Sequence, residues 1–350
     1  MDSYKVIGLM SGTSLDGLDI AFCDFSFKDK WEYKIVQAET IEYDENMRIR
    51  LSSLAGSTAL EFASFHVAFG KFCGDKVAAF LKRNKLKADF IASHGHTIFH
   101  QPALAFTTQI GDGAALSVAA GLPVVCDFRS VDVALGGQGA PLVPLGDELL
   151  FRDYTACLNL GGIANISFAK DGGRVAFDIS VCNILFNYLA MKSGNTFDRD
   201  GEMARAGKVN STLLEQLNSL PYYQMNYPKS LGREDVDKII DNYIEKNEYN
   251  LSLQDLMATA VEHVAMQIAK FADTGSLLIT GGGAFNRFLL FRLKEFSRAE
   301  LCVPDPLLVN YKEALIFAFL GLKRWRSELN CLKSVTGAKR DSVGGAIYSS

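Results

Sequence analysis

Long hydrophobic runs are missing from this 350-residue chain. The longest apolar runs, such as Ala314 to Leu322, are much shorter than the roughly 20 residues that a membrane-spanning helix needs. The N-terminal segment also lacks a basic stretch followed by a long apolar one, so no secretory signal is expected. We therefore expect no membrane partner.

Paired cysteines are absent as well. The chain has seven cysteines, an odd number, and no two of them form a CxxC pair. This spacing indicates neither a disulfide framework nor a zinc site, and we interpret the cysteines as buried thiols in a reducing cytoplasm. They are Cys23, Cys73, Cys126, Cys157, Cys182, Cys302 and Cys331.

The chain also has no excess of basic charge. It contains 36 Lys and Arg against 40 Asp and Glu, which gives a formal net charge of −4. Proteins that bind nucleic acids usually carry a basic excess or a basic stripe, so nucleic acid is not an expected partner. An acidic small-molecule substrate remains compatible with this balance, because a few local cations are enough to bind it.

Proline is scarce whereas glycine is abundant, with 8 and 30 residues respectively. Average usage is about 5% for proline and about 7% for glycine, so we expect some of the glycines to have a role beyond forming ordinary loops. With 48% hydrophobic residues the chain can bury a large core. At about 150 residues per domain, its length predicts two domains.

The first half begins with a predicted β-hairpin. The β-rich runs 4–10 and 18–25 flank the glycine-rich turn Ser11–Gly17, and a third strand is expected near 33–43. Apolar residues at helical spacing predict one or two helices over 57–84. Short buried strands are expected at 90–92 and 123–126.

The second half repeats this beginning. Strands predicted at 156–160 and 163–168 flank Gly161-Gly162, and a third is predicted at 174–179. The order of strand, glycine turn and strand therefore occurs twice, which predicts two related α/β domains facing each other across a cleft. Further helices are predicted at 181–192, 211–219, 252–274 and 312–328, and a strand at 277–280 leads into Gly281-Gly282-Gly283.

We place the domain boundary in a loop rich in glycine. The loop Gly136–Pro141 has the composition of a linker or hinge. The expected domains are residues 1–132 and 133–337, and residues 338–350 are expected to return to the first.

The first glycine turn, Gly12–Gly17, has the G-x4-G spacing of a P-loop. It lacks the Lys-Ser/Thr of a true P-loop and leads into a strand, so it is not a Walker loop. Its backbone N–H groups and hydroxyls can nevertheless surround phosphate oxygens, and Asp16 can hold Mg²⁺ through water. An ordinary hairpin loop is the alternative interpretation.

Two further turns match it. The turn Leu160–Asn165 occupies the equivalent place in the second half, so the two turns can hold the phosphates of one nucleotide between them. The turn Gly281–Asn286 follows a buried strand, and its missing side chains would let an adenine lie against the backbone.

The order of these three turns resembles that of the sugar kinase, actin and Hsp70-type ATPase superfamily. In detail the chain resembles the anhydro-N-acetylmuramic acid kinase family within it. The matching segments cover nearly the whole chain: Gly8–Gly17, Ser93–Gly95 with Thr97 and His100, Gln109–Asp112, Asp127–Arg129, Gly136–Pro144, Leu158–Ile166, Phe177-Asp178, Pro228–Ser230, Gly232–Glu234, Gly281–Asn286, Lys312–Ala314 and Thr336–Ala338.

This resemblance implies an α/β fold of two similar ribonuclease H-like (actin/hexokinase-type) domains facing a central cleft. It implies a cytoplasmic, homodimeric kinase of peptidoglycan recycling that uses ATP, Mg²⁺ and water. Such an enzyme opens 1,6-anhydro-N-acetylmuramic acid and phosphorylates O6, giving N-acetylmuramic acid 6-phosphate and ADP. Water attack at the anomeric carbon requires a carboxylate base, and transfer to O6 depends on positioning and Mg²⁺.

The resemblance also assigns roles to individual residues. Asp178 matches the catalytic base, and Asp16 the magnesium contact. The predicted sugar contacts are Asp127, Arg129, Glu313, His94 and Gln109, with Arg129 suited to the lactyl carboxylate. The predicted nucleotide contacts are Gly12, Thr13, Ser14, Leu15, Asp16, Gly17, Asn159, Gly161, Gly162, Asn165, Gly281, Gly282, Gly283 and Asn286.

Four of these residues also have a structural interpretation. Asp178 can be a turn carboxylate at a strand end, and Asp127 with Arg129 can be a structural ion pair. Glu313 can favour the dipole at the start of a helix.

The chain departs from the family pattern at two places. His96 stands where the family commonly has Gln, and Ile179–Cys182 replaces a glycine- and proline-containing turn directly after Asp178. The second change bears on the backbone beside the base, and so on the rate or on the accepted sugar.

Alternative functions remain open at this point. His94, His96 and His100 have the spacing of a metal site, which would indicate a metal-dependent hydrolase. A kinase for another amino sugar, a non-catalytic sugar- and nucleotide-binding protein and a chaperone-like ATPase are the others. The last would need a peptide-binding domain, for which the chain is too short.

Overall fold

The structure, a computed structural model, describes residues 2–12, 14–245 and 250–349. The chain forms two compact units. Unit 1 comprises residues 1–150 and 311–350, and unit 2 comprises residues 151–310. The sequence analysis expected the first domain to end at residue 132 and the chain to return to it at residue 338. In the structure the first part of unit 1 ends at residue 150, and the chain returns to unit 1 at residue 311.

The strands of the described residues are β1 (Asp2–Ser11), β2 (Gly17–Phe27), β3 (Trp31–Glu42), β4 (Phe90–Gln101), β5 (Phe106–Ile110), β6 (Val124–Cys126), β7 (Ala156–Leu160), β8 (Ile163–Lys170), β9 (Gly173–Val181), β10 (Ser276–Thr280), β11 (Glu300–Cys302) and β12 (Ala346–Tyr348).

The α-helices are α1 (Glu45–Ser53), α2 (Ala59–Asn84), α3 (Gly113–Ala120), α4 (Ser130–Ala134), α5 (Val143–Leu150), α6 (Asn183–Lys192), α7 (Glu202–Ala206), α8 (Ser211–Ser219), α9 (Pro221–Gln224), α10 (Arg233–Ile239), α11 (Leu253–Ala269), α12 (Arg287–Phe296), α13 (Pro306–Trp325) and α14 (Lys333–Thr336). Short 3-10 helices lie at Leu54–Gly56, Pro102–Leu104, Arg199–Gly201 and Gly282–Phe285, and a π-helix at Ile240–Glu245.

The two sheets share one strand order. In unit 1 the order is β12-β6-β4-β1-β2-β3, with β5 paired to β4, and in unit 2 it is β11-β10-β7-β8-β9. In each unit three successive strands form an antiparallel meander, and the first of them pairs in parallel with the next long strand of the sheet. This arrangement, 3-2-1-4-5, is that of ribonuclease H-like domains, so the predicted α/β fold of two similar domains is confirmed.

Local sequence explains most of these elements. Val6, Ile7 and Leu9 of β1 are fully buried, as expected for a strand in the middle of a sheet. Helix α2 begins at a capping box in which Thr58 and Glu61 exchange hydrogen bonds, and it ends at Lys85 in the left-handed conformation. The helical prediction for 57–84 is thus confirmed, and the segment forms one helix rather than two.

The segment 133–150 belongs to unit 1 because it packs together with α13. Lys312 on α13 forms a buried ion pair with Asp147 on α5 at 2.7 Å. Helix α13 also lies so close to β1 that a Cβ at Gly8 would overlap the carbonyl group of Ala314. These contacts, which join residues far apart in the sequence, place α5 and most of α13 on the first sheet.

The loop Gly136–Pro141 is not the connection between the units. Its Gly137 and Gly139 N–H groups donate to the carbonyl oxygen and the carboxylate of Asp132 at 2.9 and 2.8 Å. Asp132 is 1% exposed and also accepts from Thr336 and Cys331. The expectation of a linker here is wrong, because a buried carboxylate ties the loop to unit 1.

Among the described residues no helix is both long enough and apolar enough to cross a membrane. The core of unit 1 lies between its sheet and α2, around residues such as Phe65, Phe69 and Val77. The core of unit 2 lies between its sheet and α6 and α11.

Candidate active site

The β1–β2 loop of unit 1 is a tight turn that presents polar side chains. Leu15 has a positive φ of 61°, and its N–H donates to the Gly12 carbonyl oxygen at 3.3 Å. Ser14 and Asp16 are exposed, whereas Gly17 is buried at the start of β2. Thr13 lies outside the described residues. The loop therefore offers hydroxyl and carboxylate groups to solvent.

Asp19, which the sequence analysis did not select, lies next to this loop. Its Oδ1 accepts a hydrogen bond from Thr40 Oγ1 at 2.6 Å. Burial raises the pKa of Asp19 to about 6 against the effect of that bond, and the charges of Glu313 and Asp16 raise it further. The three carboxylates are therefore close enough to interact. The repeated carboxylate in Asp16-Gly17-Leu18-Asp19 was the available sequence signal.

Glu313 on α13 has an exposed side chain, yet reduced solvation raises the pKa of its carboxyl. The positive charges of Lys312 and Arg129 oppose this shift. Glu313 thus lies within electrostatic range of Arg129, another predicted sugar contact.

Arg129 is held in place by His94. The guanidinium contacts His94 Nε2 through Nε at 3.2 Å and through Nη2 at 2.9 Å, and its Nη1 donates to the Gly139 carbonyl oxygen at 2.6 Å. Burial lowers the pKa of Arg129 to about 10, which leaves it charged at neutral pH. His94 is buried, and burial followed by the charge of Arg129 lowers its pKa well below the usual value.

The other two predicted sugar contacts in unit 1 are Asp127, which is exposed, and Gln109, which is half-buried. Asp127 follows β6 with a positive φ of 58°, is exposed, and accepts from Ser130 Oγ at 2.5 Å. Gln109 on β5 is half-buried and donates to Thr107 at 2.9 Å and to Thr97 at 3.3 Å. Asp127 and Arg129 form no ion pair with each other among the described residues.

His96 belongs to a buried polar chain. Its Nδ1 lies 2.9 Å from Ser11 Oγ, which in turn lies 2.7 Å from the Tyr43 hydroxyl. Burial lowers the pKa of His96 to about 4, so the imidazole is neutral. In the parts of the chain that the structure describes, no group of three or more His, Cys, Asp or Glu side chains is arranged to hold a metal ion. The histidine spacing that indicated a metal site therefore does not produce one.

In unit 2, polar side chains form a row across four strands. Thr280 of β10 is opposite Asn159 of β7, Asn159 is opposite Asn165 of β8, and Asn165 is opposite Asp178 of β9. Residues opposite each other in adjacent strands point to the same face of the sheet. Asn159, Asn165 and Asp178, which are predicted site residues, therefore lie on the same face of the sheet as Thr280, which the sequence analysis did not select. Thr280 Oγ1 is buried without a hydrogen-bond partner among the described residues.

Asp178 is fixed through one carboxylate oxygen. Its Oδ2 accepts from Ser230 Oγ and from the Leu231 N–H, both at 3.0 Å, and its backbone carbonyl accepts from the Tyr222 hydroxyl at 2.6 Å. Burial raises the pKa of Asp178, and the two bonds to Oδ2 lower it. Within the described residues Oδ1 has no hydrogen-bond partner. Such a carboxylate has a fixed orientation and one oxygen available to a ligand.

The glycine turns of unit 2 lie against one another. Gly281 has a positive φ of 82°, and a Cβ there would lie 2.5 Å from Asn159 Oδ1 and 2.9 Å from the Leu160 carbonyl. The Gly161 and Gly162 carbonyl oxygens accept from the N–H groups at 182–184, where α6 begins. Asn183, the first residue of α6, donates to the Leu160 carbonyl oxygen at 2.8 Å. The turns after β7 and β10 and the N-terminus of α6 thus form one backbone surface.

The unusual segment after Asp178 is a continuation of the strand. Strand β9 extends to Val181, and Ile179, Ser180, Val181 and Cys182 are all buried. The predicted helix at 181–192 consequently begins at Asn183. Ile179, Val181 and Cys182 belong to the hydrophobic core of unit 2.

Asn286 has a structural role that competes with nucleotide binding. Its Oδ1 accepts from the Leu289 N–H at 2.9 Å and so caps the N-terminus of α12. The side chain is only 8% exposed.

Comparison with known proteins identifies the family. The family model described as "Anhydro-N-acetylmuramic acid kinase" matches residues 4–350. The chain is 35% identical to the anhydro-N-acetylmuramic acid kinase of Sulfurimonas denitrificans, with 98% of both chains covered. It is 36% identical to that of Coxiella burnetii, with 99% of this chain and 98% of the relative covered. The chain belongs to the anhydro-N-acetylmuramic acid kinase family.

Members of this family are phosphotransferases that act on a sugar hydroxyl, and this chain is such a kinase. Among solved structures, component A of (R)-2-hydroxyglutaryl-CoA dehydratase from Acidaminococcus fermentans superposes with a TM-score of 0.45 at 12% identity, covering 90% of this chain and 96% of that one. The fold assignment rests on the strand order of the two sheets.

Several residues around the predicted site were not selected from the sequence. They are Asp19 and Thr40 in unit 1, and Thr280, Tyr222, Ser230 and Leu231 in unit 2. Ser230 lies in the Pro228–Ser230 segment that matches the family, so the motif was visible but its contact with Asp178 was not.

Proposed function

We propose that this kinase uses Asp178 as the general base that activates water for opening the anhydro ring of 1,6-anhydro-N-acetylmuramic acid. The supporting observation is the asymmetry of its carboxylate: Oδ2 accepts two hydrogen bonds, whereas Oδ1 has none among the described residues. A general base must point toward the proton that it accepts. Because the two hydrogen bonds fix Oδ2, they also fix the direction in which Oδ1 of the same carboxylate points.

The reaction has two parts. The Oδ1 atom of Asp178 takes a proton from water as the water oxygen attacks the anomeric carbon, and the bond from that carbon to O6 breaks. The freed O6 attacks the γ-phosphorus of ATP, and ADP leaves. Burial raises the pKa of Asp178, which makes it a stronger base than an exposed carboxylate.

Unit 2 also supplies backbone for the nucleotide. Gly161 is half-buried and Gly282 is exposed, and a Cβ at either would have no neighbour closer than 3.2 Å, so phosphate oxygens and a flat base can approach the backbone of these two turns. Asn159, Asn165 and the Thr280 hydroxyl, which has no hydrogen-bond partner in the described part of the chain, add polar groups on the same face of the sheet. Asn286 is proposed as a nucleotide contact only through its backbone, because its side chain caps α12.

The residues of unit 1 suit Mg²⁺. Asp16 is exposed at the glycine turn, and the charges of Asp16 and Glu313 raise the pKa of Asp19, so a cation here would relieve repulsion among carboxylates. Mg²⁺ is usually held by one or two carboxylates and several waters, which agrees with the lack of a larger ligand group among the described residues. When bound with ATP, Mg²⁺ neutralises charge that develops on the phosphates.

Direct sugar contacts in unit 1 are proposed for four residues, Asp127, Arg129, Glu313 and Gln109. The Arg129 guanidinium is suited to the lactyl carboxylate, and the carboxylates of Asp127 and Glu313 and the amide of Gln109 are suited to sugar hydroxyl and acetamido groups.

The test is ADP release coupled to a colour reaction, with ATP, Mg²⁺ and a panel of anhydro and free amino sugars. We expect ADP only with the anhydro sugar, and ¹⁸O from labelled water at C1 of the product and not in its phosphate. Equal turnover of the free sugar would favour an ordinary amino-sugar kinase. Ligand-induced stabilisation without ADP release would favour a non-catalytic binding protein.

We also propose that the protein acts as a homodimer in the cytoplasm. The cysteines of the described residues are thiols and form no disulfide, which agrees with a reducing compartment. The proposal of a homodimer rests on the family resemblance. Light scattering of the purified protein tests it by giving the mass of the particle in solution.

A further inference from the structure

His94 lies inside the fold rather than on a surface open to a ligand. The residue is 5% exposed, and its ring packs on Phe317 of α13 with a centroid separation of 4.5 Å. Both ring nitrogens already have partners: Nδ1 lies 3.0 Å from the Gly95 carbonyl oxygen, and Nε2 contacts Arg129. A substrate hydroxyl would have to displace one of these bonds.

These partners determine the tautomer of His94. An arginine side chain only donates hydrogen bonds, and a carbonyl oxygen only accepts them. Nε2 must therefore carry the lone pair that accepts from Arg129, and Nδ1 must carry the proton that it donates to Gly95. The neutral imidazole with hydrogen on Nδ1 is the one form that satisfies both contacts.

The same contacts divide the donors of Arg129. A guanidinium has five N–H groups. His94 takes the one on Nε and one on Nη2, and the Gly139 carbonyl oxygen takes one on Nη1. One N–H on Nη1 and one on Nη2 remain without a hydrogen-bond partner among the described residues. Because His94 occupies the Nε–Nη2 edge, the remaining Nη2 hydrogen lies on the Nη1–Nη2 edge, and this edge binds a carboxylate through both of its oxygens when the Gly139 carbonyl takes the other Nη1 hydrogen.

Gly139 is itself fixed. Its N–H donates to the buried Asp132 carboxylate at 2.8 Å, so the carbonyl oxygen that accepts from Arg129 belongs to a loop tied to the interior. Two acceptors therefore orient the guanidinium: His94 Nε2 accepts on its Nε–Nη2 edge, and the Gly139 carbonyl oxygen accepts at Nη1. Glu313 is near enough to raise the pKa of Arg129, but no hydrogen bond joins the two side chains among the described residues.

We propose that His94 is a positioning residue and not a sugar contact: it orients the guanidinium of Arg129 so that the free N–H groups of Nη1 and Nη2 bind a carboxylate on the substrate. This inference rests on the proposed function for the identity of the sugar. It makes His94 a determinant of specificity for sugars that bear a lactyl carboxylate over those that do not.

Kinetics of three variants test this role with two sugars, 1,6-anhydro-N-acetylmuramic acid and 1,6-anhydro-N-acetylglucosamine, which lacks the lactyl group. We expect His94→Leu to raise KM for the first sugar about ten- to hundred-fold with little change in kcat, since it releases a charge-assisted contact. KM for the second sugar should stay unchanged. His94→Gln places an amide oxygen where Nε2 was, so it should restore most of the affinity.

His100→Leu is the matched control, because His100 is a histidine within electrostatic range of Arg129 that forms no hydrogen bond with it: burial, followed by the charge of Arg129, lowers the pKa of His100. This variant should behave like the wild type. A His94→Leu variant that loses both sugars equally, or neither, would overturn the inference.

A measurement independent of turnover separates this inference from the proposed function. Histidine-selective ¹⁵N NMR of the wild type, which has five histidines, should show His94 with hydrogen on Nδ1 and an unprotonated Nε2 from pH 5 to 8. A protonated Nε2 would overturn the inference even if the enzyme is active. If the wild type consumes neither sugar, the proposed function fails, and the tautomer still decides whether His94 can orient Arg129.

Discussion

The Ser230 hydroxyl donates to Oδ2 of Asp178 at 3.0 Å, although the two residues are 52 positions apart. The Leu231 N–H donates to the same oxygen at 3.0 Å. Both bonds favour the charged carboxylate, whereas burial favours the neutral acid. The segment after the α9 helix therefore sets both the direction and the proton affinity of the proposed base.

Replacing the base tests its role directly. Asp178→Asn retains the shape of the side chain but removes the charge that accepts a proton, so sugar-dependent ADP formation should fall by about 10²–10⁴-fold. Calorimetric titration should show nucleotide binding nearly unchanged. The control is Asp171→Asn in the exposed β8–β9 turn, where a φ of 51° also suits asparagine. Equal activity of the two variants would remove Asp178 from the base role.

Removing the hydrogen bond to the base should change the pH dependence. Ser230→Ala removes a donor that lowers the pKa of Asp178, so that pKa rises. The base must be unprotonated to act, and the acid limb of the kcat/KM profile should therefore move to higher pH, with the rate recovering at alkaline pH. Ser219→Ala, at an exposed serine on α8, should leave the profile unchanged. A uniformly lower rate with an unshifted limb would contradict this assignment.

A pair of glycine variants tests the turn after β10. Gly281 and Gly172 have φ values of 82° and 76°, but a Cβ at Gly172 meets nothing within 4 Å, whereas one at Gly281 meets Asn159 and Leu160. Gly172→Ala should cost about 1–2 kcal/mol of unfolding free energy. Gly281→Ala should cost about 1–3 kcal/mol more and should weaken nucleotide binding. Urea unfolding and nucleotide titration check both, and equal effects of the two variants would argue against close packing at Gly281.

The carboxylates of unit 1 should respond to Mg²⁺. Asp16→Asn removes the proposed magnesium contact, so the Mg²⁺ concentration for half-maximal rate should increase, while chelation by EDTA should stop the wild-type reaction. The charge of Asp16 raises the pKa of Asp19, so that pKa should fall in the variant. Asp29→Asn, in the exposed β2–β3 turn, is the control. An unchanged Mg²⁺ requirement would exclude Asp16 as a contact.

Elements encoded by neighbouring residues were predictable. The two hairpins at glycine turns and the long helix at 57–84 depend on periodicity, turn residues and caps, all of which are local. The same strand order in the two sheets follows from the repeated order of elements. The expected linker at Gly136–Pro141 was wrong because composition does not reveal that Asp132 binds this loop.

The sequence by itself determined the family, the duplicated α/β fold and the residues that carry the glycine turns and Asp178, because these depend on residue types in a fixed order. Only the tertiary structure decided that Asp178 is held through one oxygen, that Asp19 joins Asp16 and Glu313, and that His94 binds Arg129 from 35 positions away. Such contacts depend on strand register and on distances between chain segments. A pattern of residues along one chain does not contain those distances.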